Sequence, residues 1–573
     1  MTGPGHSHQK LILWWFMNKT FIGWIKKYFF GLLWVYALGM AQTAPSRFSL
    51  TAELTDTLLE AGLTTNVVAE IRTMGDSLTW FGTGRGLAVH DNNMVFMYRT
   101  TTDSLQNLDS TNLLPQGGIP AIAVLNDSML VAFSGDDGSI QMGLGLALTF
   151  SAEDTNGIGW TYFKQPVDME SDSLELVGGV GYFRQLPVTV PQANVTYDAS
   201  LNRKYFWIAS WAGGLRNYHF PRKEWRHIPL PLDNQTEFDL CDEGNFDSSE
   251  GPKILQNYYL NPRDPSDGGN HNHKAFSVLA YGDTVWVGTA NGVNRGLIVR
   301  DTLWGQSAIE CIRWKHYSYP EDGLSGNFVV GLAKQYWRGQ ITIWAATVNA
   351  DAPGEVRGLS YTRDGGTTWK TALIGERIYN ISARDSLVFA SSASGLWKSL
   401  DGVNWAQFNS AIDQTLLAQK QILSDVVYTA ILDERDTIPR IWLGTPDGIA
   451  VANDIHGFDW SIIQAEYDSA EVYAYPNPFS PLTHNQLEGD GYVRFHTGPI
   501  TGDELNLDVF SFSMEKVYHK DYDLNVYRGA IKWNGRGQNG NHVANGVYFA
   551  RLRFSSALGQ SPTPKWTKVI VVK

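Results

Sequence analysis

The sequence predicts an all-β protein built mainly from one repeated unit, and three observations support this prediction. The 573 residues include 56 glycines and many aromatic residues (21 Trp, 25 Tyr, 26 Phe), and only 18% are charged, which is typical of a turn-rich chain with a large core. Stretches such as DSLTWFGTGRGLAVHD place an apolar run on each side of a glycine turn, as a β-hairpin does. A short phrase of this kind recurs through the middle of the chain, which indicates a repeat architecture.

The repeated phrase is a large apolar residue, a second apolar residue, Gly or Ala, and then Thr or Ser. Five copies begin at Trp80, Trp207, Trp286, Trp344 and Trp442, and two weaker copies begin at Val131 and Phe389. Glycine stands six residues after the first position in five copies, at Gly86, Gly213, Gly292, Gly395 and Gly448. Several of the steps between copies are 45 to 58 residues long, which fits one four-stranded propeller blade. We therefore predict a seven-bladed β-propeller over residues 47–468, with the tryptophans packed between blades. The segment from Leu54 to Ile71 is the best helix candidate.

Two kinds of known repeat resemble stretches of this predicted propeller. IWLGTPDGIAVAND resembles the repeat of two-component-regulator sensor propellers, and YTRDGGTTWKT resembles the Asp-box of sialidase-type (BNR) repeats. The matching Asp-box positions are Thr362, Asp364, Gly366, Thr368 and Trp369, with a second copy at Ser399, Asp401, Gly402 and Trp405 and a degenerate one ending at Trp160. Because such a carboxylate can accept turn amides while the Trp packs between hairpins, these residues are predicted to be structural.

The last hundred residues form a second predicted module, residues 472–573. Asn539-Gly540 and Asn545-Gly546 are hairpin signals, and VYFARLRF alternates as a half-buried strand does. The region resembles the Ig-like module related to the flagellar hook-capping (FlgD) protein and the type A sorting domain of type IX secretion (T9SS) cargo. The matching residues are Pro476, Asn477, Pro478, Trp533, Gly535, Arg536, Asn539, Gly540, Val543, Ala544, Gly546, Val547 and Tyr548. This resemblance implies an Ig-like β-sandwich that is recognised by secretion machinery or attaches the protein to a surface; a simple spacer is the alternative.

Residues 1–41 have the order of a secretory signal peptide. Lysines at 19, 26 and 27 precede the apolar run YFFGLLWVYALGMA, and Gly39 and Ala41 fit the small residues before a cleavage site. Met17 is an alternative start. A membrane anchor is the other interpretation, but the lysines leave about 14 apolar residues, fewer than the ~20 needed to span a bilayer. We predict an exported protein at the outer cell surface or outside the cell, without a stable transmembrane anchor.

Charge and cysteine content exclude several classes of function. The 45 basic and 58 acidic residues give a net charge of −13, which argues against a nucleic-acid partner. Two cysteines cannot build a disulfide framework or a four-thiolate zinc site. Cys241 and Cys311 could pair in an oxidising compartment, and a bond between them would be expected to link neighbouring blades.

The segment from Asp233 to Asp267 is the most distinctive insertion, and it holds the weak metal candidates. Its nine acidic residues include Asp242, Asp247 and Glu250, which together with Asn245 could offer oxygens to Ca²⁺, although their spacing is not that of an EF-hand. His271 and His273 could ligate a metal from one strand face. A solvated acidic loop and a polar turn are the favoured interpretations, so no cofactor is predicted, with Ca²⁺ the one candidate.

No residue is predicted to be catalytic, and two functions remain open. The favoured one is a non-catalytic binding protein that holds a glycan or protein ligand on the loop face of the propeller. The alternative is a secreted glycoside hydrolase or lyase acting on extracellular polysaccharide. A sialidase is disfavoured because the nearest string to its F/Y-R-I-P motif, Phe183 to Pro187, has one residue too many. Two carboxylates facing each other about 5–9.5 Å apart across a cleft would favour the enzyme.

Overall fold

A computed structural model describes most of the chain beyond the predicted signal peptide. The described residues are 59–91, 94–101, 113–136, 138, 140–154, 158–177, 181–241, 246–247, 251–301, 309–348, 353–408, 422–465, 472–484, 490–497, 502–527, 530–555 and 564–573. Residues 1–41 and the predicted start at Met17 lie outside these ranges. The described residues contain 43 β-strands and two short 3-10 turns, Pro265–Asp267 and His271–His273. No helix among them is long and apolar enough to cross a membrane.

The first half of the chain builds four regular antiparallel sheets. The strands are β1 (Leu59–Ala61), β2 (Val68–Met74), β3 (Leu78–Thr83), β4 (Gly86–Asp91), β5 (Met94–Tyr98), β6 (Thr100–Thr101), β7 (Leu114–Pro115), β8 (Gly118–Leu125), β9 (Ser128–Asp136), β10 (Gln141–Thr149), β11 (Thr161–Phe163), β12 (Leu174–Val177), β13 (Gly181–Gln185), β14 (Thr196–Leu201), β15 (Tyr205–Ser210), β16 (Gly214–His219), β17 (Glu224–His227), β18 (Glu237–Asp239), β19 (Phe246–Asp247), β20 (Gly251–Leu260), β21 (Ala275–Tyr281), β22 (Thr284–Thr289), β23 (Gly292–Asp301) and β24 (Ile309–Tyr317). The predicted helix between Leu54 and Ile71 is wrong, because β1 and the start of β2 occupy its described part. Sheet pairing with β3 and β5 overrides the local helical pattern there.

The second half of the chain builds three more such sheets and a separate C-terminal unit. Its strands are β25 (Phe328–Trp337), β26 (Gln340–Val348), β27 (Gly358–Thr362), β28 (Lys370–Ala372), β29 (Ile378–Arg384), β30 (Leu387–Ser392), β31 (Gly395–Ser399), β32 (Ala406–Gln407), β33 (Thr429–Asp433), β34 (Arg440–Thr445), β35 (Gly448–Ala452), β36 (Trp460–Ile463), β37 (Tyr473–Tyr475), β38 (Val493–His496), β39 (Glu504–Phe510), β40 (Lys516–Asp523), β41 (Lys532–Trp533), β42 (Gly546–Ser555) and β43 (Lys565–Val571).

Seven sheets form a closed ring. Each contains four consecutive strands in simple up-and-down order, and we number them blades 1 to 7 by their innermost strands β2, β8, β14, β21, β25, β29 and β33. These innermost strands contact one another in that order, and β33 of blade 7 returns to β2 of blade 1. The predicted all-β propeller fold is therefore confirmed. The boundaries at residues 47, 468 and 472 stay predictions.

The repeated phrase has a physical explanation in this ring. The Thr or Ser that ends the phrase donates its hydroxyl proton to the carbonyl oxygen of the glycine that opens the next strand. This bond is present after β3, β22, β30 and β34, and in blade 1 it joins Thr83 to Gly86 over 2.7 Å. In blade 3 the glycine that accepts this bond is Gly214 rather than the predicted Gly213. The glycine inside the phrase is needed where the next blade approaches, because a Cβ on Gly444 would lie 2.7 Å from the carbonyl oxygen of Val68.

The aromatic first residues of the phrase fill the gaps between blades. Trp286 of blade 4 packs against Trp369 of blade 5 with ring centroids 6.1 Å apart. Trp344 of blade 5 meets Trp405 of blade 6 edge-on at 5.9 Å, and Trp442 of blade 7 meets Phe81 of blade 1 at 5.5 Å. Burial of such rings supplies much of the apolar area that holds the blades together.

An extra sheet and a disulfide occupy the region around the long insertion. Strands β12 and β13 pair with β20 and β19 in a sheet of their own, and β18 adds to the outer edge of blade 4. Cys241 and Cys311 form a disulfide. The expectation that this bond links neighbouring blades is wrong, because Cys311 lies in β24 and Cys241 follows β18, the strand paired with β24 in the same sheet.

The C-terminal strands form two sheets of three and four strands, β37-β38-β41 and β40-β39-β42-β43, around one shared core. Trp533, which is fully buried, lies at the centre of that core and donates its indole N–H to the carbonyl of Arg536. We call this unit the sandwich; its Ig-like assignment stays a prediction.

An ion pair joins the sandwich to the ring. Arg494 in β38 donates from both terminal nitrogens to the two oxygens of Asp447, over 2.8 and 2.7 Å. Asp447 lies in the turn between β34 and β35 of blade 7, is 2% exposed, and also accepts the amide of Leu423. Burial raises the pKa of Asp447 even though the Arg494 guanidinium lowers it. This two-pronged geometry fixes the position of β38 against blade 7.

Candidate functional site

Bulges in the innermost strands bring polar side chains into the channel of the ring. Six of the seven innermost strands have a β-bulge or similar register irregularity near their first residues. In three of these strands the residue just after the irregularity is polar: Glu70 in β2, Asp198 in β14 and Asn380 in β29. A bulge redirects a side chain that regular alternation would place elsewhere. These three polar residues come from blades 1, 3 and 6 and all line one cavity.

This inner cavity has a volume of about 200 Å³ and is lined from five blades. Arg72 lies 2.7 Å from Glu70 in an ion pair between the guanidinium and the carboxylate. The side-chain amide of Asn380 donates to Glu70 over 3.4 Å and to the hydroxyl of Thr429 over 3.3 Å. Asp198 accepts the amide of Val278 from blade 4. The cavity therefore holds one guanidinium and two carboxylates.

Burial raises the pKa of both carboxylates. The pKa of Asp198 is raised to about 7, chiefly by burial and also by the negative charge of Glu70, while the amide of Val278 and the cation of Arg72 lower it. Burial likewise raises the pKa of Glu70, and Arg72 works against that rise. Two acids with raised pKa values in one cavity are an arrangement found at functional sites.

A second, larger cavity forms the opening of the channel, and we call it the basic mouth. It has a volume of about 480 Å³, and Arg72 lines both it and the inner cavity, so the two adjoin at this side chain. Arg203 from the β14–β15 turn and Lys334 from β25 also line it, and among the described residues no acidic side chain does. The ammonium of Lys334 lies 4.5 Å from the centre of the Tyr281 ring.

The basic mouth and the long insertion lie on opposite faces of the ring. Its lining includes the C-terminal ends of β8, β14 and β21, so it opens where the innermost strands end. The Asp233–Asp267 insertion lies between β17 and β21, which places it where the innermost strands begin. Asp447 and the sandwich lie on the same face as the insertion, because the β34–β35 turn is located where the innermost strands begin.

The structure gives several insertion residues structural roles. Asp233 accepts the amides of His271 and Asn272 over 2.9 and 2.8 Å, and Asp264 pairs with Lys274 over 2.5 Å. Hydrogen bonding to Lys274 lowers the pKa of Asp264. Asp242, Asn245 and Glu250 lie outside the described residues, as does the side chain of Asp247, so the Ca²⁺ hypothesis is not addressed by the structure.

The two histidine candidates have separate environments. His273 is buried; its Nδ1 accepts the amide of Asn261 over 2.9 Å and its Nε2 lies 3.2 Å from the hydroxyl of Tyr258. Burial lowers the pKa of His273 to about 4. His271 lies instead 3.6 Å from Asp264. Within the described ranges no group of three metal-ligating side chains occurs, so these histidines gain no third ligand there.

The Asp-box residues hold turns at the edge of the ring. Asp364 accepts the amide and hydroxyl of Thr368 over 2.9 and 2.6 Å, and these bonds lower its pKa to about 2. Asp401 accepts the amides of Val403 and Asn404, each over 2.8 Å, which lowers its pKa. Gly366 has φ +96°, a conformation that favours glycine. The BNR assignment itself stays a prediction.

The sorting-motif residues also have roles within the sandwich. The side chain of Asn477, between Pro476 and Pro478, bonds the carbonyl of Lys568 and the amide of Ile570 in β43 over 2.8 and 2.9 Å. Tyr548 packs on Trp533 and donates its hydroxyl to the carbonyl of Ala544. Gly535 and Gly540 occupy left-handed conformations, with φ +71° and +77°, and Gly546 opens β42. Folding alone thus accounts for much of this motif.

The channel residues were not predicted from the sequence, although a signal for some of them was present. Glu70, Asp198 and Asn380 stand nine or ten residues before the first position of a repeated phrase, in strands that are otherwise largely apolar. The Phe183–Pro187 string begins in β13 of the extra sheet and runs past its end, with Arg184 exposed and outside the lining of both channel cavities.

No family model and no curated protein matches the sequence. Among solved structures the chain is similar to an ancestral GH74 enzyme (12% identity, TM-score 0.44, covering 90% of this chain and 64% of that one). It is also similar to the GH74 enzyme of Niastella koreensis (10%, 0.42, 90% and 74%) and to the WD40 β-propeller domain of Doa1 (9%, 0.34, 69% and 95%). These similarities are low, so our functional argument uses the geometry of the channel alone.

Proposed function

We propose that the protein is an exported binding protein that holds its ligand in the channel of the ring. The observation that carries this proposal is that the inner cavity and the basic mouth adjoin at Arg72, which lines both. Together they offer cations, carboxylates and amides drawn from several blades to one space. Their volumes lie within or close to the range of small-molecule sites.

A channel-filling variant tests the location of the site. Ser382 lines the inner cavity, and Ser382→Trp would fill part of it. Thr371 on the exposed outer strand β28 offers the matched control, Thr371→Trp. A panel of glycans and peptides is screened by thermal shift on the full chain. A ligand that stabilises the wild type and Thr371→Trp but not Ser382→Trp supports the channel site, whereas equal stabilisation of all three places binding elsewhere and contradicts it.

The second candidate function is a glycoside hydrolase or lyase, and the two channel carboxylates favour it specifically. Asp198, with a pKa near 7, is suited to donating or accepting a proton at neutral pH, and Glu70 lies close enough for its charge to influence Asp198. Release of reducing ends from polysaccharides is the assay for hydrolysis, and ultraviolet absorbance of unsaturated products is the assay for a lyase. Activity lost in both Asp198→Asn and Glu70→Gln would establish the enzyme; turnover that survives both changes would exclude these residues as its acid and base.

The export and attachment roles are part of the same proposal. Residues 1–41 would direct export, and the sandwich would serve secretion or surface attachment. Deleting residues 472–573 in the native host should leave the ring folded but change where it accumulates. Unchanged location, measured by fractionation of cells and medium, would contradict the sorting role and leave the channel proposal intact.

A further inference from the structure

The charges of the channel are arranged in two layers, and this arrangement restricts the chemistry of its ligand. Arg203 and Lys334 line the mouth, on the face where the innermost strands end. Glu70 and Asp198 line the cavity further inside, and Arg72 lies at the boundary that both cavities share. An incoming ligand therefore meets cations first and carboxylates second.

The cations of the mouth are available to a ligand. Arg203 is exposed, and neither it nor Lys334 forms an ion pair with a carboxylate within the described part of the chain. Lys334 is held over the ring of Tyr281, which fixes its ammonium near the opening. Such a patch is unusual in a chain of net charge −13, and it attracts anions.

The inner layer selects against ligands with many negative charges. Glu70 and Asp198 offer oxygen atoms that accept hydrogen bonds, and the amide of Asn380 lies beside them. Hydroxyl groups can donate to these oxygens, whereas a carboxylate of a ligand carries no proton to donate. The ligand should therefore carry an anionic group at one end and hydroxyl groups at the other.

We propose that the channel binds an anionic saccharide, with its carboxylate or sulfate at Arg203 and Lys334 and its ring hydroxyls toward Glu70, Asp198 and Asn380. The proposal rests on the channel function proposed above and adds the ligand class. A cavity of about 480 Å³ next to one of about 200 Å³ suits a short oligosaccharide. A peptide rich in acidic residues fits the mouth but not the inner layer.

Calorimetric titration of the full chain tests the ligand class. The probes are galacturonic acid trimer, a sulfated disaccharide, neutral galactose trimer and a hexaglutamate peptide, each at low and at physiological salt. We expect galacturonate or the sulfated sugar to bind at least about tenfold more tightly than the neutral trimer, with affinity falling as salt rises. The two acidic sugars distinguish a carboxylate from a sulfate as the recognised group.

Variants assign the effect to the mouth. Arg203→Ala and Lys334→Ala should each weaken binding of the acidic sugar about tenfold, the size of one charge-assisted hydrogen bond. Arg263→Ala, an exposed arginine in the insertion on the opposite face, is the matched control and should leave the affinity unchanged.

The outcomes separate the two proposals. Equal binding of neutral and acidic trimers that is lost in Ser382→Trp but not in Arg203→Ala would overturn the proposal that the ligand is an anionic saccharide. It would leave the proposal that the ligand binds in the channel intact. Preferential binding of hexaglutamate would also overturn it. Binding of the acidic sugar that survives both Ser382→Trp and Arg203→Ala would overturn the two proposals together, and binding of no probe would overturn the saccharide class.

Discussion

The insertion face of the ring and the basic mouth use charge differently, although the face that carries the mouth also has ion pairs such as Asp433 with Arg435. On the face where the innermost strands begin, charged groups are paired and partly buried: Asp447 with Arg494, Asp264 with Lys274, and Asp233 with backbone amides. On the face where those strands end, Arg203 and Lys334 line an open cavity without a carboxylate beside them. The insertion face, which is the more distinctive in sequence, thus uses its charges in structural contacts, whereas the described lining of the basic mouth has cations and no carboxylate.

Removing one partner of the buried pair should have the largest effect. Arg494→Ala leaves the carboxylate of Asp447 buried without its cation, which we expect to cost about 3–5 kcal/mol of unfolding free energy. Denaturant unfolding of the full chain measures it. The double variant Asp447→Asn with Arg494→Met should recover much of the loss, since it leaves no unpaired charge. A change within about 0.5 kcal/mol in Arg494→Ala would show that this face does not depend on the pair.

The titration of Asp198 should make the channel pH-sensitive. Because its pKa is about 7 in the folded chain and about 3.9 in an unfolded one, the folded state binds the extra proton between these values. Stability should therefore fall as pH rises from about 4 to about 7, by at most about 1.4 kcal/mol per pH unit. Asp198→Asn should remove this part of the pH dependence. The difference in unfolding free energy between wild type and variant should therefore change with pH. A constant difference across that range would contradict the raised pKa.

The cations of the mouth should matter little for stability. Arg203→Ala removes no ion pair within the described residues, so we expect an unfolding free energy within about 0.5 kcal/mol of wild type. Comparing the loss of unfolding free energy in Arg203→Ala with the loss in Arg494→Ala measures how differently the mouth and the Asp447 pair contribute to stability. A loss of several kcal/mol in Arg203→Ala would mean that the mouth, too, is structural.

The smallest and most local effect is expected at the Asp-box turns. Asp364→Ala removes the acceptor of the Thr368 amide, so hydrogen exchange at Thr368 should become faster while exchange in β25 and β26 stays unchanged. Asp364→Asn, which keeps one acceptor oxygen, is the conservative control. Faster exchange throughout blade 5 would show that the turn supports the whole blade.

Local patterns accounted for the fold and for little of the candidate site. The glycines at 86, 292, 395 and 448 and the aromatic residues of the phrase repeat because the blades that carry them use the same turn and the same kind of contact with a neighbour. The helix predicted from Leu54 was wrong because pairing with other strands decides the structure there. The metal candidates were chosen from spacing along the chain, and spacing carries no information about which side chains meet across a ring.

The sequence by itself determined an all-β chain of repeated hairpins followed by a different C-terminal module, because turn glycines and alternating strands are local requirements. Only the tertiary structure decided that Glu70 and Asp198 share a cavity, that Arg494 reaches Asp447, and that Cys241 pairs within one sheet rather than between blades. These contacts depend on ring closure and on bulges that shift the register of the innermost strands. Ring closure joins residues far apart in the chain, and no local pattern along the sequence records which of them meet.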